Sequence, residues 1–311
     1  MNRTLAPTNL EGILKDTFYI YKNNFLRLTA IASIVVVPIA IVSLIINLLL
    51  PTYGKEATGV LSNALISLPV ALVAFVAYIL MFGAIVHAMA EQYFNQPVSI
   101  GRAYSFAWRR MGDMFGAVVL YGLAIGGIFL AAILISVIIA AAIGGTYSWL
   151  IGFAIAFILI LFATPPALYL GIIWNFMVQT AMLEGCGPRA ALSHSAAVVK
   201  GSWWRVLGIV LLLLLIVQAI FMIFNIPAMM GAVSWIMTGV MSGTMTETPP
   251  QLPTWVMIWS TVGGAIGYII SFPIYTIGET LLYFDLRVRK QGYNLDALAN
   301  ELGLRSTDTI A

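Results

Sequence analysis

One unit occurs three times along this chain: a short polar amphipathic stretch, a basic and aromatic boundary, then two long apolar runs. Lys22-Asn23-Asn24-Phe25-Leu26-Arg27 leads into the first apolar run, Arg110-Met111-Gly112-Asp113-Met114-Phe115 into the third, and Lys200-Gly201-Ser202-Trp203-Trp204-Arg205 into the fifth. The period is about 90 residues and covers nearly the whole chain, the mark of one repeated membrane architecture rather than of a soluble enzyme with an anchor.

Composition agrees with this reading. With 61% hydrophobic and 9% charged residues over 311 positions, the chain lacks the polar surface to cover a water-soluble globule of its size. Runs long enough to cross a hydrocarbon core of about 30 Å are expected at Leu28 to Leu50, Ala64 to Ala90, Phe115 to Ile143, Trp149 to Leu183, Val206 to Met230 and Trp255 to Leu282. Six crossings return both termini to one side. Cations retained on the cytoplasmic side set which side that is. Arg3, Lys15, Lys22 and Arg27 precede the first run; Arg102, Arg109 and Arg110 lie between the second and third. Arg189, Lys200 and Arg205 lie between the fourth and fifth, and Arg287, Arg289, Lys290 and Arg305 follow the sixth. Of fifteen basic residues only Lys55 falls opposite, so both termini are expected in the cytoplasm. The N-terminus lacks the pattern of a cleavable signal, and the first run is expected to stay in the mature protein. The net charge of +3 needs no nucleic-acid partner, because topology alone accounts for it and no recognition motif accompanies it.

The chain thus reads as a single membrane domain, 1–311, of three repeats at about 9–96, 97–186 and 187–285, with 286–311 a cytoplasmic tail. Each repeat opens on a helix expected to lie in the interface plane. In the first, Leu10, Ile13, Leu14, Phe18 and Tyr21 form an apolar stripe facing lipid, and Asn9 is the N-cap. In the second, from Ser99 as cap to Arg110, Ile100, Ala103, Phe106 and Ala107 are apolar. The third starts at Gly187-Pro188, with Ala191, Leu192, Ser195 and Val199 on the membrane side. Successive repeats share one orientation, so the repeat is parallel. Asn47 and Asn225 recur at one offset and read as polar groups ending a helix at the outer interface. Gly231 to Thr254 is the one outer segment long enough for structure of its own, and a small interfacial helix is expected around Ala232 to Val240. Trp235, Trp255 and Trp259 read as outer aromatic anchors, and Trp108, Trp203 and Trp204 as inner ones.

Groups that could carry chemistry are few. Ionisable residues inside a bilayer mark function by default, yet His87, Glu184 and Glu279 all fall at the inner ends of their runs. Gln218 and Pro165-Pro166, the latter expected to kink the fourth run, are the deep features. Two histidines, His87 and His194, are too far apart to suggest a metal cluster, and Cys186 reads as a structural thiol. No nucleophile elbow or phosphate loop is present. The expectation is no catalytic residue, no metal and no cofactor. Gly122-x-x-x-Gly126 and Gly263-x-x-x-Gly267 permit close helix approach, although 27 glycines make such spacings common.

The last run exits through Gly278-Glu279-Thr280-Leu281-Leu282-Tyr283-Phe284-Asp285-Leu286-Arg287-Val288-Arg289-Lys290-Gln291-Gly292-Tyr293-Asn294-Leu295. Asp285 and Arg289 are placed to pair on a helix, and Arg287, Arg289 and Lys290 to meet an anionic leaflet. This segment resembles the C-terminal signature of the glycerophosphoryl diester phosphodiesterase membrane-domain family of bacterial polytopic proteins, apart from Phe284, Gln291 and Asn294. Met182-Leu183-Glu184-Gly185-Cys186-Gly187-Pro188-Arg189-Ala190-Ala191-Leu192, continuing through Lys200-Gly201-Ser202-Trp203-Trp204-Arg205-Val206-Leu207-Gly208, resembles the same family's middle signature. The resemblance implies the membrane module without the catalytic domain, in a bacterial cytoplasmic membrane.

The expected fold is therefore all-α: six transmembrane helices in three parallel repeats, each an interfacial helix plus a hairpin. The expected function is a non-catalytic scaffold or accessory subunit that presents its basic cytoplasmic face to anionic lipid or to a protein partner in a larger membrane complex. Lys22, Arg27, Arg109, Arg110, Lys200, Trp203, Trp204, Arg205, Asp285, Arg287, Arg289 and Lys290 are the candidate contact residues. The rival reading is a transporter or translocase of a lipid or small amphiphile, with Gln218, Pro165 and Pro166 lining its cavity; an intramembrane enzyme ranks third.

Overall fold

The computed structural model describes residues 7–49, 57–94, 96–145, 148–242 and 252–303, and every element among them is helical. Arg3, Lys55 and Arg305 lie outside the described residues. Six helical segments are long and apolar enough to cross a membrane: Phe25–Leu48, Leu65–Phe94, Met111–Ile143, Trp149–Glu184, Trp203–Met241 and Thr254–Gln291. The chain is thus an all-α polytopic protein. Its many exposed Leu, Ile and Phe side chains along these helices are what lipid-facing surfaces require, since the hydrocarbon is as apolar as they are.

The first helix is α1 (Leu10–Asn23), capped by the Asn9 side chain, which accepts from the Gly12 N–H. A single residue, Asn24, separates it from α2 (Phe25–Leu49). The Asn24 N–H reaches the carbonyls of Ile20 and Tyr21, so the end of α1 is satisfied within the elbow. α3 (Ala57–Glu91) returns and closes in a 3₁₀ turn, Gln92–Phe94. There follow α4 (Ile100–Arg109), one residue Arg110, α5 (Met111–Ile143), a turn at Gly144 and Gly145 with φ of 61° and 85°, and α6 (Ser148–Ile173). α6 runs unbroken through Pro165 and Pro166. The interruption falls after it, at Trp174 to Phe176, followed by the single turn α7 (Met177–Gln179) and a π turn, Thr180–Glu184. Pro188 opens α8 (Pro188–Val199) in its first turn, and α9 (Trp203–Met241) and α10 (Thr254–Gln291) follow. A short α11 (Leu295–Leu302) ends the described chain, its N-cap Asn294 accepting from the Ala297 N–H.

One expectation needs correcting. Ala232 to Val240 is not a separate interfacial helix: it is the last part of α9, which runs on to Met241. α10 continues past the apolar run to Gln291 and carries Asp285 and Arg289 on one helix, as their spacing predicts. At about 1.5 Å per residue its 38 residues span roughly 57 Å, well beyond a 30 Å core, so one or both ends stand clear of the hydrocarbon.

The chain divides into two compact units. The first combines Thr8–Trp108 with Val210–Leu281, the second Arg109–Ile209 with Leu282–Ala311. In the first, α2 packs on α3, and α3 meets α10 through edge-to-face aromatic pairs, Tyr78 with Tyr268 and Phe82 with Phe272. The interfacial helices are tied down by phenols. Tyr21 of α1 donates to the Ile270 carbonyl at 2.9 Å, and Tyr104 of α4 donates to the Ile31 carbonyl at 2.7 Å. Burial holds both phenols protonated, their pKa pushed up to about 12. The stripe expected on α1 is split by this docking: Ile13, Thr17, Ile20 and Tyr21 are buried against protein, while Leu10 and Phe18 stay exposed. In the second unit α5 packs along α6 and against α8, where Gly116 admits the Pro188 ring.

Candidate functional site

The polar residues of the second unit converge where the π turn, α8, α11 and the end of α10 meet. Two side chains fix α8 to the turn: the Ser195 hydroxyl accepts from the Phe176 N–H at 3.1 Å, and the Thr180 hydroxyl donates to the Ala191 carbonyl at 3.0 Å. The chain leaves the turn at Gly185, whose φ of 63° suits glycine. A side chain there would also strike the Arg110 guanidinium, which lies directly over it.

Glu184, the last residue of the π turn, uses both carboxylate oxygens. Tyr283 donates its hydroxyl to Oε1 at 2.6 Å, and His194 Nδ1 lies 2.6 Å from Oε2. Arg287, buried one turn beyond Tyr283 on α10, has Nη1 3.8 Å from the same Oε1 and 2.9 Å from Glu301 of α11. Its guanidinium lies 3.7 Å above the Tyr293 ring centroid, and Nε donates to Gln291 at 3.0 Å. Tyr293 donates to the second oxygen of Glu301, and burial together with that carboxylate raises its phenol well above the usual range. Arg287 is therefore flanked by two carboxylates and an aromatic face, a fully partnered buried cation.

Other candidate contact residues are also engaged. Asp285, 3% exposed, accepts from Arg289 Nε at 2.9 Å and from Arg205 Nη2 at 2.8 Å, bridging α10 to the start of α9. Lys290 donates to the carbonyls of Val198 and Lys200, closing the C-terminus of α8 with a cation where the helix dipole favours one. Trp203 stacks on Tyr169 and meets Trp204 edge to face. Arg110 is partly buried over Gly185.

Lys22, Arg27, Arg109, Lys200 and Trp204 are exposed, and each stands at one of the three elbows between an interfacial helix and the span it feeds. Large apolar side chains project beside them: Leu26 is 78% exposed, Trp108 67% and Trp204 79%. Side chains of this size are worth about 1.5–3 kcal/mol each when removed from water. Of the twelve candidates, Lys22, Arg27, Arg109, Lys200 and Trp204 thus face outward, while Arg110, Trp203, Arg205, Asp285, Arg287, Arg289 and Lys290 engage neighbours within the chain.

From sequence, Glu184 reads only as a carboxylate at the inner end of its run, Cys186 as a structural thiol and His194 as no part of a metal cluster, and Tyr283, Tyr293 and Glu301 carry no assigned role. One signal for the first was available. Glu91, Glu184 and Glu279 recur at roughly the repeat period, each near the inner end of an even-numbered span. In the first unit Glu91 is buried beside His87, with Arg102 of α4 3.4 Å away; in the second, Glu184 meets His194 of α8. Glu91 and Glu184 thus each meet a cationic or imidazole group on the next short helix. Gln218, Pro165 and Pro166 are exposed residues. A cavity of about 490 Å³ lies elsewhere: Gly116, Val119 and Leu120 of α5 line it with Gly187, Pro188 and Arg189 at the start of α8. Compared with protein-family models, curated proteins and solved structures, the chain matches none.

Proposed function

We propose that the protein is a non-catalytic membrane scaffold or accessory subunit whose three elbows hold anionic lipid headgroups and seat a protein partner at the cytoplasmic face of a bacterial inner membrane. The observation that carries this is the threefold elbow: a short helix, one to three linking residues, then a span, with an exposed cation and an exposed large apolar side chain at each. A cation beside an aromatic or leucine side chain suits the headgroup layer, where one end of the pair meets phosphate and the other the acyl boundary. The cavity beside Arg189, with its apolar α5 wall, offers the same combination at the start of α8. The resemblance to the glycerophosphoryl diester phosphodiesterase membrane domain supports the bacterial setting and a module that acts through association.

Arg287, Arg289, Lys290 and Arg205 are engaged by neighbours within the chain, and the contact set is taken as the four exposed elbow cations, Lys22, Arg27, Arg109 and Lys200. The test replaces these four by Gln, extracts the protein gently from its native membrane, and weighs the particle by native mass spectrometry. The expected result is loss of retained anionic lipid, and of any stoichiometric companion, from a variant that still inserts and melts as the parent does. Undiminished retention of both in that variant overturns the reading.

A further inference from the structure

Beyond this reading, we propose that Glu184, Cys186 and His194 form a binding site for a borderline-soft divalent cation, zinc foremost. One ligand atom from each residue lies within 4.8 Å of the other two, and the three donors are a carboxylate, a thiol and an imidazole, the set that zinc takes in preference to harder cations.

The fold brings them together by two devices. The left-handed turn at Gly185 folds the chain so that Glu184 and Cys186, two residues apart, approach one point. α8 then carries His194 back over that point, its register against the π turn held by the Ser195 and Thr180 hydrogen bonds. The carboxylate is oriented from behind: Tyr283 holds Oε1, leaving Oε2 toward His194, the outer hydrogen bond by which proteins aim a ligand at its metal. The charges facing the site are mixed. Arg287 approaches the far oxygen of Glu184 but is already neutralised by Glu301, and Arg110 and Asp113 act on Cys186 with opposite signs.

His194 Nδ1 and Glu184 Oε2 are 2.6 Å apart, whereas two ligands on a tetrahedral zinc are separated by about 3.3 Å. The pair must open by several tenths of an ångström, which His194, about half exposed, can do by rotating toward solvent. Three protein ligands leave a fourth position for water. Cys186 Sγ now donates to the Thr180 carbonyl at 3.7 Å, so it sits as a protonated thiol in the metal-free site. Binding therefore exchanges the thiol proton for the metal: Cys–SH plus M²⁺ gives Cys–S–M⁺ and H⁺, and affinity rises with pH.

The experiment uses untagged full-length protein in detergent, stripped of metal, with Co²⁺ as the spectroscopic probe and Zn²⁺ as competitor. A thiolate-to-cobalt charge-transfer band saturating at one Co²⁺ per chain, bleached by Zn²⁺ and absent from Cys186→Ser, is expected. His194→Asn should weaken Co²⁺ binding at least about tenfold, the loss typical when a metal site is disturbed. No band from folded protein, or a band that persists in folded Cys186→Ser, overturns the proposal. Should that variant fail to fold, alkylation of Cys186 in the parent decides: Zn²⁺ should slow it, and an unchanged rate overturns the site.

Discussion

At the scale of single residues, the sharpest contrast is between two arginines two positions apart. Arg287 is buried with carboxylates on two sides and Tyr293 beneath it, whereas Arg289 is 38% exposed and pairs with Asp285, which Arg205 also serves. Removing one partner of a buried pair leaves an uncompensated charge and costs about 3–5 kcal/mol, whereas loss of the partly exposed Arg289 leaves the buried Asp285 still paired with Arg205 and costs far less. Arg287→Met should therefore lower the melting temperature sharply and expose α11 to protease, and Arg289→Met should do neither. A small shift for Arg287→Met in thermal melts of detergent-solubilised protein would show that the Glu184–Arg287–Glu301 cluster does not hold the end of α10. The sequence placed both residues in a basic exit; spacing along a helix does not reveal which cation points inward, because that depends on where Glu184 and Glu301 arrive from other elements.

Among elements, the two GxxxG spacings have different fates. At Gly263 a Cβ would come within 2.4 Å of the Phe224 carbonyl oxygen, and at Gly267 within 3.3 Å of the Phe221 Cα, so α9 and α10 approach there backbone to backbone. Trp259 exploits this approach, donating its indole N–H to the same Phe224 carbonyl. Gly122 and Gly126 have open space around them. Gly263→Ala must push α9 and α10 apart and should cost about 1–3 kcal/mol, while Gly126→Ala should stay within about 0.5 kcal/mol of the parent. Unfolding of the two variants in graded denaturing detergent would compare them directly, and equal stability would contradict the close packing of α9 on α10. The helices themselves were legible from apolar run length, and the caps at Asn9 and Pro188 from residue type. The π turn after α7 was not, since it follows from how Thr180 and Phe176 are held by α8 rather than from any local breaker.

For the whole molecule the consequence of six spans is topological. An even number of crossings returns Asn24 and Gly292 to one side of the bilayer and puts Ser242 on the other, and the proposed orientation, drawn from the cation distribution, makes the first side the cytoplasm. In a Cys186→Ser background, Ser242→Cys should react with a membrane-impermeant maleimide in intact cells, whereas Asn24→Cys and Gly292→Cys should react only after permeabilisation. Labelling of either of the last two from outside would overturn the six-span arrangement or its orientation.

The sequence by itself determined that this chain is an all-α membrane protein of six spans and where the linking elbows fall. Those properties depend on one-dimensional quantities: the length of apolar runs against bilayer thickness and the residue types that cap a helix. Tertiary structure alone decided which side of α1 faces protein, which cations of the α10 exit are neutralised internally, and that Glu184, Cys186 and His194 share one point. Each of these depends on groups far apart in sequence meeting across packed helices, where the low dielectric makes partnership or its lack decisive.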